Sequence, residues 1–403
     1  MNFTKGILLG SGAALFAVAG AQAADLPSRK SAPVEYVKVC SAYGAGFFFI
    51  PGTDTCLKVG GYVRIEYDNR QDATVGATGL NASTAGWYTR GVISTDARTA
   101  TPYGTVQAYI QARAVQSGSG TMDQDTHGSI EAAYIRFAGF TFGQARQPYA
   151  FMSSWGYMSN WWTGWPNGVR QLSYTHVFGG GLSATVSVQD ANNRASGHGY
   201  NTSSNAQAWD SNGPVYIAAL NYDQSWGRLQ AMGAWTREQS TIASIGGDGY
   251  AVGMGAAFNL PMLGKGDSIE FTANYWDGLV KLGIGNTNLS TPSSGSWGPV
   301  APLPSISVAT SQGWSVGAQL QHYWTPAWRT VVFGAYADMD LNNGTTDTAT
   351  ALSTGAQLVW SPVSRFDIGL QALYVRAERK SATAANNTSN DNIGMKLRVQ
   401  RSF

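Results

Sequence analysis

Residues 366–374 have the sequence FDIGLQALY, in which every second position is apolar. The apolar set consists of Phe366, Ile368, Leu370, Ala372 and Tyr374. Three of the four positions between them are Asp367, Gly369 and Gln371, and the fourth is Leu373. Because successive side chains of a β-strand point to opposite faces, this two-residue period predicts a strand. We expect one face of the strand to meet an apolar medium and the other to meet water.

The same alternation recurs in sixteen segments distributed from residue 57 to residue 403. They are 57–69, 87–98, 103–116, 129–138, 140–147, 169–178, 182–191, 214–222, 228–238, 249–260, 268–277, 312–324, 328–340, 351–360, 365–379 and 391–403. Seven tight connections alternate strictly with eight long ones. This pattern puts all turns at one rim of a sheet and all loops at the other, as in barrels of the outer membrane. The predicted fold is all-β, a 16-stranded antiparallel up-and-down transmembrane β-barrel.

The composition supports this fold and argues against other classes. Only 12% of the 403 residues are charged, about half the share of an ordinary soluble domain. The 49 glycines disfavour a helical bundle, and 12% aromatic residues disfavour a disordered chain. A soluble β-sandwich is the competing interpretation. Aromatic residues near predicted strand ends favour the membrane barrel, whose interfaces carry such rings: Trp226, Trp235, Trp276, Trp324, Trp328 and Trp360.

The first residues have the pattern of an export signal. Lys5 supplies a positive charge, residues 7–19 form a short apolar segment and residues 21–23 fit a cleavage site. We expect residues 1–23 to be a signal peptide and residues 24–56 to be a periplasmic lead-in before a barrel at 57–403. Cys40 and Cys56 are the only cysteines, which fits one disulfide bond in an oxidising compartment. Two buried free thiols are the alternative.

Several motifs resemble those of the alphaproteobacterial outer-membrane porins. They are VEYVKVC at 34–40, YGAGF at 43–47, IPGTDTCLKVGGYVR at 50–64 and AYIRFAGFTFG at 133–143. The resemblance implies a 16-stranded general diffusion porin, a passive channel for small hydrophilic solutes that assembles as a homotrimer. Outer-membrane lipid, lipopolysaccharide and the barrel-assembly machinery are the further partners it implies. The terminal Phe403 resembles the assembly signal of such barrels.

The resemblance also implies that the third long loop, residues 148–168, folds inward as a constriction loop. This loop contains no Asp or Glu, so it departs from the acidic constriction of general porins. It carries seven aromatic residues: Tyr149, Phe151, Trp155, Tyr157, Trp161, Trp162 and Trp165. These rings either anchor the loop to the barrel wall or line the opening, where they could stack on sugar rings.

Charged residues at positions assigned to the lumen by parity are sorted along the chain. The early strands supply a basic wall of the pore constriction, consisting of Arg64, Arg90, Arg98, Arg113 and Arg136. The later strands supply acidic lumen residues, namely Glu270, Asp338, Asp340 and Asp367. Opposed charges across a narrow opening would favour polar solutes, with a slight preference for anions or neutral molecules. Each arginine could instead pair with Glu66, Asp96 or Glu131 and only stabilise the wall.

No cluster of residues suggests enzymatic chemistry. The four histidines are scattered and lack the spacing of a metal site or a catalytic triad. The sequence therefore predicts no catalytic residue, no metal and no cofactor, and the net charge of +2 gives no reason to expect nucleic acid. A saccharide-preferring porin is the first alternative, and a barrel enzyme or adhesin is the second. A plugged active transporter is disfavoured because it needs about 22 strands.

Overall fold

The computed structural model describes ten stretches of the chain. They are 38–72, 83–119, 125–153, 155–157, 168–190, 214–238, 247–284, 312–340, 346–381 and 387–403. The expected signal peptide therefore lies outside the described residues. Within them, no helix has the length and apolar character needed to cross a membrane.

Short strand β1 (Phe48–Phe49) precedes sixteen long strands in the described part of the chain. These are Cys56–Asp72 (β2), Ser83–Thr101 (β3), Gly104–Ser119 (β4), Asp125–Phe137 (β5), Phe140–Ala145 (β6), Val169–Gly179 (β7), Leu182–Gln189 (β8), Val215–Gln224 (β9), Gly227–Glu238 (β10), Gly247–Asn259 (β11), Ser268–Asp277 (β12), Gln312–Thr325 (β13), Trp328–Asp340 (β14), Thr348–Val363 (β15), Phe366–Lys380 (β16) and Thr388–Ser402 (β17). Each pairs antiparallel with its neighbours in sequence. Because β17 also pairs with β2, the sheet closes into a barrel.

The predicted fold class is confirmed, including the number of strands. The alternation of connection lengths is not strict, because the connection between β11 and β12 (260–267) is as long as the one between β10 and β11 (239–246). The turn between β3 and β4 contains only residues 102–103, and the turn between β15 and β16 contains only residues 364–365. We call this end of the barrel the short-turn rim and the opposite end the long-loop rim.

The two faces of the wall differ in exposure. On β16, Leu370 is 49% exposed whereas the next residue, Gln371, is fully buried. Exposed apolar side chains recur on the outer face of the other strands, as expected for a wall that meets lipid. Stacked rings sit near the outer strand ends, for example Trp328 and Trp360 with centroids 5.8 Å apart. Trp276 was expected among these girdle residues, but it is fully buried and points into the barrel.

Much of the lumen along β9 to β16 is filled by apolar side chains. Buried residues of these strands form one cluster with Tyr149, Phe151 and the short helix α1 (Val280–Ile284). Helix α1 places Leu282 and Ile284 against Trp276 and the inner wall. Apolar side chains therefore make up much of the inner face on this side of the barrel, interspersed with buried polar residues such as Gln230, Thr272 and Gln357, whereas the lumen of such a barrel is usually polar.

The predicted disulfide joins Cys40 to Cys56, the first residue of β2. The segment before it is attached to the barrel by backbone pairing of Phe48 with Leu57 and of Phe49 with Cys56. At the other end of the chain, the Phe403 amide donates a hydrogen bond to the carbonyl oxygen of Gly61 at 3.0 Å. The assembly role of Phe403 stays a prediction.

Candidate functional site

The segment after β6 runs inside the barrel, and two arginines bind the backbone at its beginning. The Arg146 guanidinium donates hydrogen bonds to the carbonyl oxygens of Ala150, Phe151 and Met152 at 3.3, 3.2 and 2.9 Å. Arg228 of β10 donates to the same Phe151 carbonyl at 2.9 Å and lies 4.4 Å from the centroid of that ring. Two fixed cations therefore hold the turn that directs the chain into the lumen.

Glycines of the wall provide space for the aromatic rings of this loop. A Cβ atom on Gly255 would lie 2.1 Å from the Phe151 ring, and one on Gly253 would lie 2.9 Å from the Tyr149 hydroxyl. On β16, a Cβ atom on Gly369 would lie 2.1 Å from the Tyr157 hydroxyl. Because no side chain stands at these positions, the loop can lie flat against the inner wall.

Polar side chains of later strands bind the loop backbone. Glu270 of β12 accepts hydrogen bonds from the amide and hydroxyl of Ser153 at 2.7 and 2.8 Å. The Tyr157 amide donates to Gln357 of β15 and Gln371 of β16 at 2.9 and 2.5 Å. The described residues between 148 and 157 therefore contact the wall from β10 to β16, roughly half of the barrel.

The structure shows anchoring of the described aromatic residues. Tyr149 and Phe151 are each 1% exposed, Trp155 packs against the buried cluster and Tyr157 is half-buried. Burial raises the pKa of the Tyr149 and Tyr157 phenols, so both rings stay neutral at physiological pH. The anchoring alternative therefore describes these residues, whereas Trp161, Trp162 and Trp165 lie outside the described residues.

Three of the predicted arginines lie together on β2, β3 and β4, farther from the short-turn rim than the other two. We call Arg64, Arg90 and Arg113 the upper arginines. Arg64 and Arg90 are direct neighbours across the two strands. Arg90 and Arg113 both approach Glu131, at 3.6 and 2.9 Å. A β-bulge in β5 turns Glu131 towards the lumen beside them, and sequence parity gives no sign of this bulge.

The other two predicted arginines lie near the short-turn rim. Arg98 makes two hydrogen bonds to Asp96, at 3.0 and 2.7 Å. The Arg136 guanidinium lies 4.6 Å from the centroid of the Tyr134 ring. Within the described ranges, no carboxylate lies within 4.0 Å of Arg64 or Arg136. The five arginines thus share the lumen face but separate into an upper and a lower group.

The predicted acidic wall opposite these arginines does not form. Glu270 is buried beneath the loop, and Asp367 faces the lumen but pairs with Arg329 at 2.9 Å. Asp338 and Asp340 share the outer face of β14 with the exposed Val332, so their predicted lumen position is wrong. The reason is physical: the inner face of β14 is apolar because the loop and α1 cover this side of the lumen, which reverses the expected parity.

A charged network at the closure of the barrel was absent from the predicted site. Glu66 of β2 pairs with Arg398 at 2.5 Å and with Lys396 at 3.6 Å, both on β17. Lys396 also contacts Asp68 at 3.1 Å. The Arg398 guanidinium lies 3.8 Å from the Tyr157 ring centroid, so the network also touches the far part of the loop. Strand parity places Lys396 and Arg398 on the inner face, but only barrel closure brings them to Glu66.

The described residues include no group of three or more His, Cys, Asp or Glu side chains that could hold a metal ion. The two histidines whose surroundings are described are separated along the barrel. His176 packs edge-on against Phe178 on β7, and His322 binds Asp267 near the turn before β12.

Comparisons with known proteins agree with the fold. The sequence profile of the Porin subfamily matches residues 25–397. Porin Omp2b of Brucella suis is 30% identical over 259 residues, covering 57% of this chain and 66% of the relative. Porin Omp2b of Brucella abortus strain 2308 is 33% identical over 252 residues, covering 57% and 65%. The chain thus spans just under two thirds of these curated relatives.

Two solved structures share the architecture at low sequence identity. The outer membrane channel DcaP of Acinetobacter baumannii superposes with a TM-score of 0.65 at 17% identity, covering 88% of this chain and 99% of that one. OmpF of Salmonella typhi, solved in complex with daunomycin, gives a TM-score of 0.55 at 11% identity, covering 87% and 98%. At these identities the likeness concerns the fold alone.

Proposed function

Because this chain belongs to the Porin subfamily, we propose that it forms a water-filled channel of the outer membrane for passive diffusion of small hydrophilic solutes and ions. One observation supports this most strongly: an inward loop lies against one half of a closed 16-strand wall and leaves the arginines of the other half facing the lumen. Barrels of this strand number enclose an aqueous channel. The family favours a channel over an enzyme.

The constriction in this proposal lies between the anchored loop and the upper arginines. Arg90 and Arg113 keep 19% and 32% of their side chains exposed although both approach Glu131. Two guanidinium groups share this one carboxylate, and Arg64 adds a third cation beside Arg90. The local excess of positive charge favours anions, because a low-dielectric wall concentrates the field across the opening.

The reversal potential in a KCl gradient across a planar bilayer tests this selectivity. We expect a preference for chloride that is mostly lost in the double variant Arg64→Gln/Arg90→Gln. The matched variant Arg237→Gln changes an exposed arginine at the end of β10 and should keep the preference. A strongly cation-selective native channel would overturn the proposal.

The saccharide-preferring alternative is tested by the same recordings. Tyr149 and Phe151 are buried in anchoring the loop, and Trp155 and Tyr157 are only partly exposed, so the described rings of the loop offer little open surface to a passing sugar. We therefore expect no saturable block of the ion current by added malto-oligosaccharides. A block that saturates with sugar concentration would favour the alternative. A hydrolytic activity abolished by substitution of His322 would instead support a barrel enzyme.

The proposal places the short-turn rim in the periplasm and the long-loop rim outside the cell. It also includes a homotrimer, which the family resemblance implies, a signal peptide at 1–23 and a periplasmic lead-in at 24–56. Outer-membrane lipid, lipopolysaccharide and the assembly machinery are the proposed partners. Native mass spectrometry in mild detergent tests the trimer, and amino-terminal sequencing of the mature protein tests cleavage after Ala23.

A further inference from the structure

The disulfide-bonded segment before the barrel forms a compact aromatic unit, which we call the lead-in loop (residues 38–55). Phe47 is 4% exposed and packs with Cys40 and Cys56 in a small core. Tyr43 lies beside it, with ring centroids 5.9 Å apart. The hydroxyl groups of Thr55 and Thr99 form a 2.9 Å hydrogen bond that ties the end of the loop to β3. The loop is therefore fixed to the short-turn rim.

Two cations of the inner wall hold the rings of the lead-in loop. The Arg98 guanidinium lies 5.6 Å from the Tyr43 centroid and 5.1 Å from the Phe47 centroid. The Lys58 ammonium lies 5.7 Å from the Phe47 centroid. Lys58 has the same strand parity as the lumen-facing Arg64, and Arg98 the same as Arg90. The loop thus packs on the lumen side of β2 and β3 and covers part of the mouth.

This mouth is distant from the constriction at the upper arginines. Arg90 and Arg98 are eight residues apart on the same strand. At about 3.3 Å per residue they are separated by about 26 Å along β3, or about 20 Å along the barrel axis for a strand tilt of about 40°. That axial separation exceeds the Debye length of about 8 Å at physiological ionic strength, so the two groups act on a permeating ion independently.

The charges around the mouth do not cancel. Asp96 accepts hydrogen bonds from Nε and Nη2 of Arg98 and from the Gln107 amide at 3.0 Å, so its charge is compensated locally. Lys58 and Arg136 are exposed. In the described part of the chain, no carboxylate lies within 4.0 Å of either cation. Asp96 also lies opposite Lys58 in the register of β2 and β3, but the three cations Lys58, Arg98 and Arg136 outnumber this one carboxylate, so a net positive charge remains on this side of the mouth.

We propose that the short-turn mouth is a second anion-selective constriction in series with the first. The lead-in loop narrows it, Lys58 and Arg136 supply the charge, and Arg98 positions the loop through its two rings. Its ligands are polyvalent anions, which feel a field from several cations more strongly than chloride does. This inference rests on the proposed channel function and adds a second place at which that channel selects its solutes.

Block of the channel current by inorganic tripolyphosphate, added to one side of the membrane at a time, tests the role of the positive charges at the mouth. Channels are added to one chamber so that they insert in one direction, and the blocker is added to either side. The variant Lys58→Gln/Arg136→Gln should slow block from the short-turn side about tenfold and leave block from the other side unchanged. Arg64→Gln/Arg90→Gln should weaken block from both sides, because a blocker entering from either end reaches the upper arginines.

Removal of the disulfide tests the role of the loop. Cys40→Ser/Cys56→Ser should increase single-channel conductance. Heat-modifiable mobility on electrophoresis gels shows whether this variant has folded into a barrel. If this variant does not fold, Tyr43→Ala, which removes one ring from Arg98, should give a smaller increase. Unchanged block in Lys58→Gln/Arg136→Gln, or unchanged conductance in the folded loop variants, overturns the inference while the channel itself conducts. A native protein that does not conduct would instead overturn the proposed function.

Discussion

At the scale of single residues, Asp267 shows how one carboxylate can attach a turn to the neighbouring strand by hydrogen bonds. It ends the connection between β11 and β12 and is 2% exposed. The Tyr323 amide donates a hydrogen bond to it at 2.8 Å, and His322 contacts its other oxygen at 2.5 Å. Burial opposes the charge on Asp267, but these hydrogen bonds outweigh it and lower the pKa of the carboxyl.

A lowered pKa makes the contribution of Asp267 to stability dependent on pH. The stabilisation is complete above the carboxyl pKa of the unfolded chain, about 3.9, and is lost as pH falls through the lower pKa of the folded protein. We expect Asp267→Asn to reduce the free energy of unfolding at pH 7 by about 1.5–3 kcal/mol, the range for hydrogen bonds to a charged group.

Urea unfolding in lipid vesicles, followed by tryptophan fluorescence, measures this effect. The difference between Asp267→Asn and the native protein should begin to shrink as the pH falls below about 4, where the carboxyl of the unfolded chain becomes protonated, and should be lost once the folded carboxyl is protonated as well. Asp223→Asn, at the exposed end of β9, is the control and should have little effect at either pH. An equal loss of stability at pH 7 and at pH 3 would contradict the role given to the charge.

At the scale of elements, the inward loop and the wall are complementary in shape. Small residues on the inner face leave room for the rings of the loop, as Gly255 does for Phe151. The loop in turn buries apolar residues of β9 to β16 that would otherwise line a water-filled lumen. Loop and wall therefore stabilise one another, because apolar surface removed from water contributes about 25 cal/mol per Å².

Filling the space at Gly255 should displace the loop. Gly255→Leu places a side chain where the Phe151 ring lies, and overpacking of this kind costs about 1–3 kcal/mol. We expect a lower free energy of unfolding and a higher single-channel conductance, because the loop moves from its position in the constriction. Gly233→Leu on β10 is the control, since a Cβ atom there has only one neighbour, at 3.9 Å. Equal conductance of both variants would contradict the role of the loop.

At the scale of the whole molecule, the barrel closes through a charged contact between its first and last strands. Glu66 and Arg398 are 332 residues apart in sequence, yet their side chains meet inside the wall. Glu66, Lys396 and Arg398 have 4%, 6% and 12% of their side chains exposed. Removal of one member would leave buried charge without its partner, which is costly in a medium of low polarity.

Glu66→Ala should therefore destabilise the closed barrel by about 3–5 kcal/mol. Glu378→Ala removes the half-buried partner of the exposed Arg376 on the outer wall, and a surface pair of this kind contributes at most about 1 kcal/mol. Urea unfolding in vesicles and the temperature at which the folded band is lost on gels measure both variants. Similar losses in the two proteins would show that the contact between β2 and β17 has no special importance.

The sequence was sufficient for the features that depend on local order along the chain. A two-residue period requires only neighbouring residues, so the sixteen strands could be predicted, for example β16 at 365–379 against the observed Phe366–Lys380. The alternation of tight and long connections is also local, and it predicted which strand ends share a rim. The pairing of Cys40 with Cys56 followed because the chain has no other cysteine.

The tertiary structure was needed wherever the orientation of a strand face, towards the lumen or towards the outside, depends on which segment packs against it. Asp338 and Asp340 lie on the outer face because the loop and α1 cover the inner face of β14, which is therefore apolar. The sequence of β14 alone does not show that its inner face is covered. The contact of Glu66 with Arg398 likewise arises only when the two ends of the sheet meet. Period and turn length act between neighbours along the chain, whereas burial and charge pairing act between segments that folding brings together.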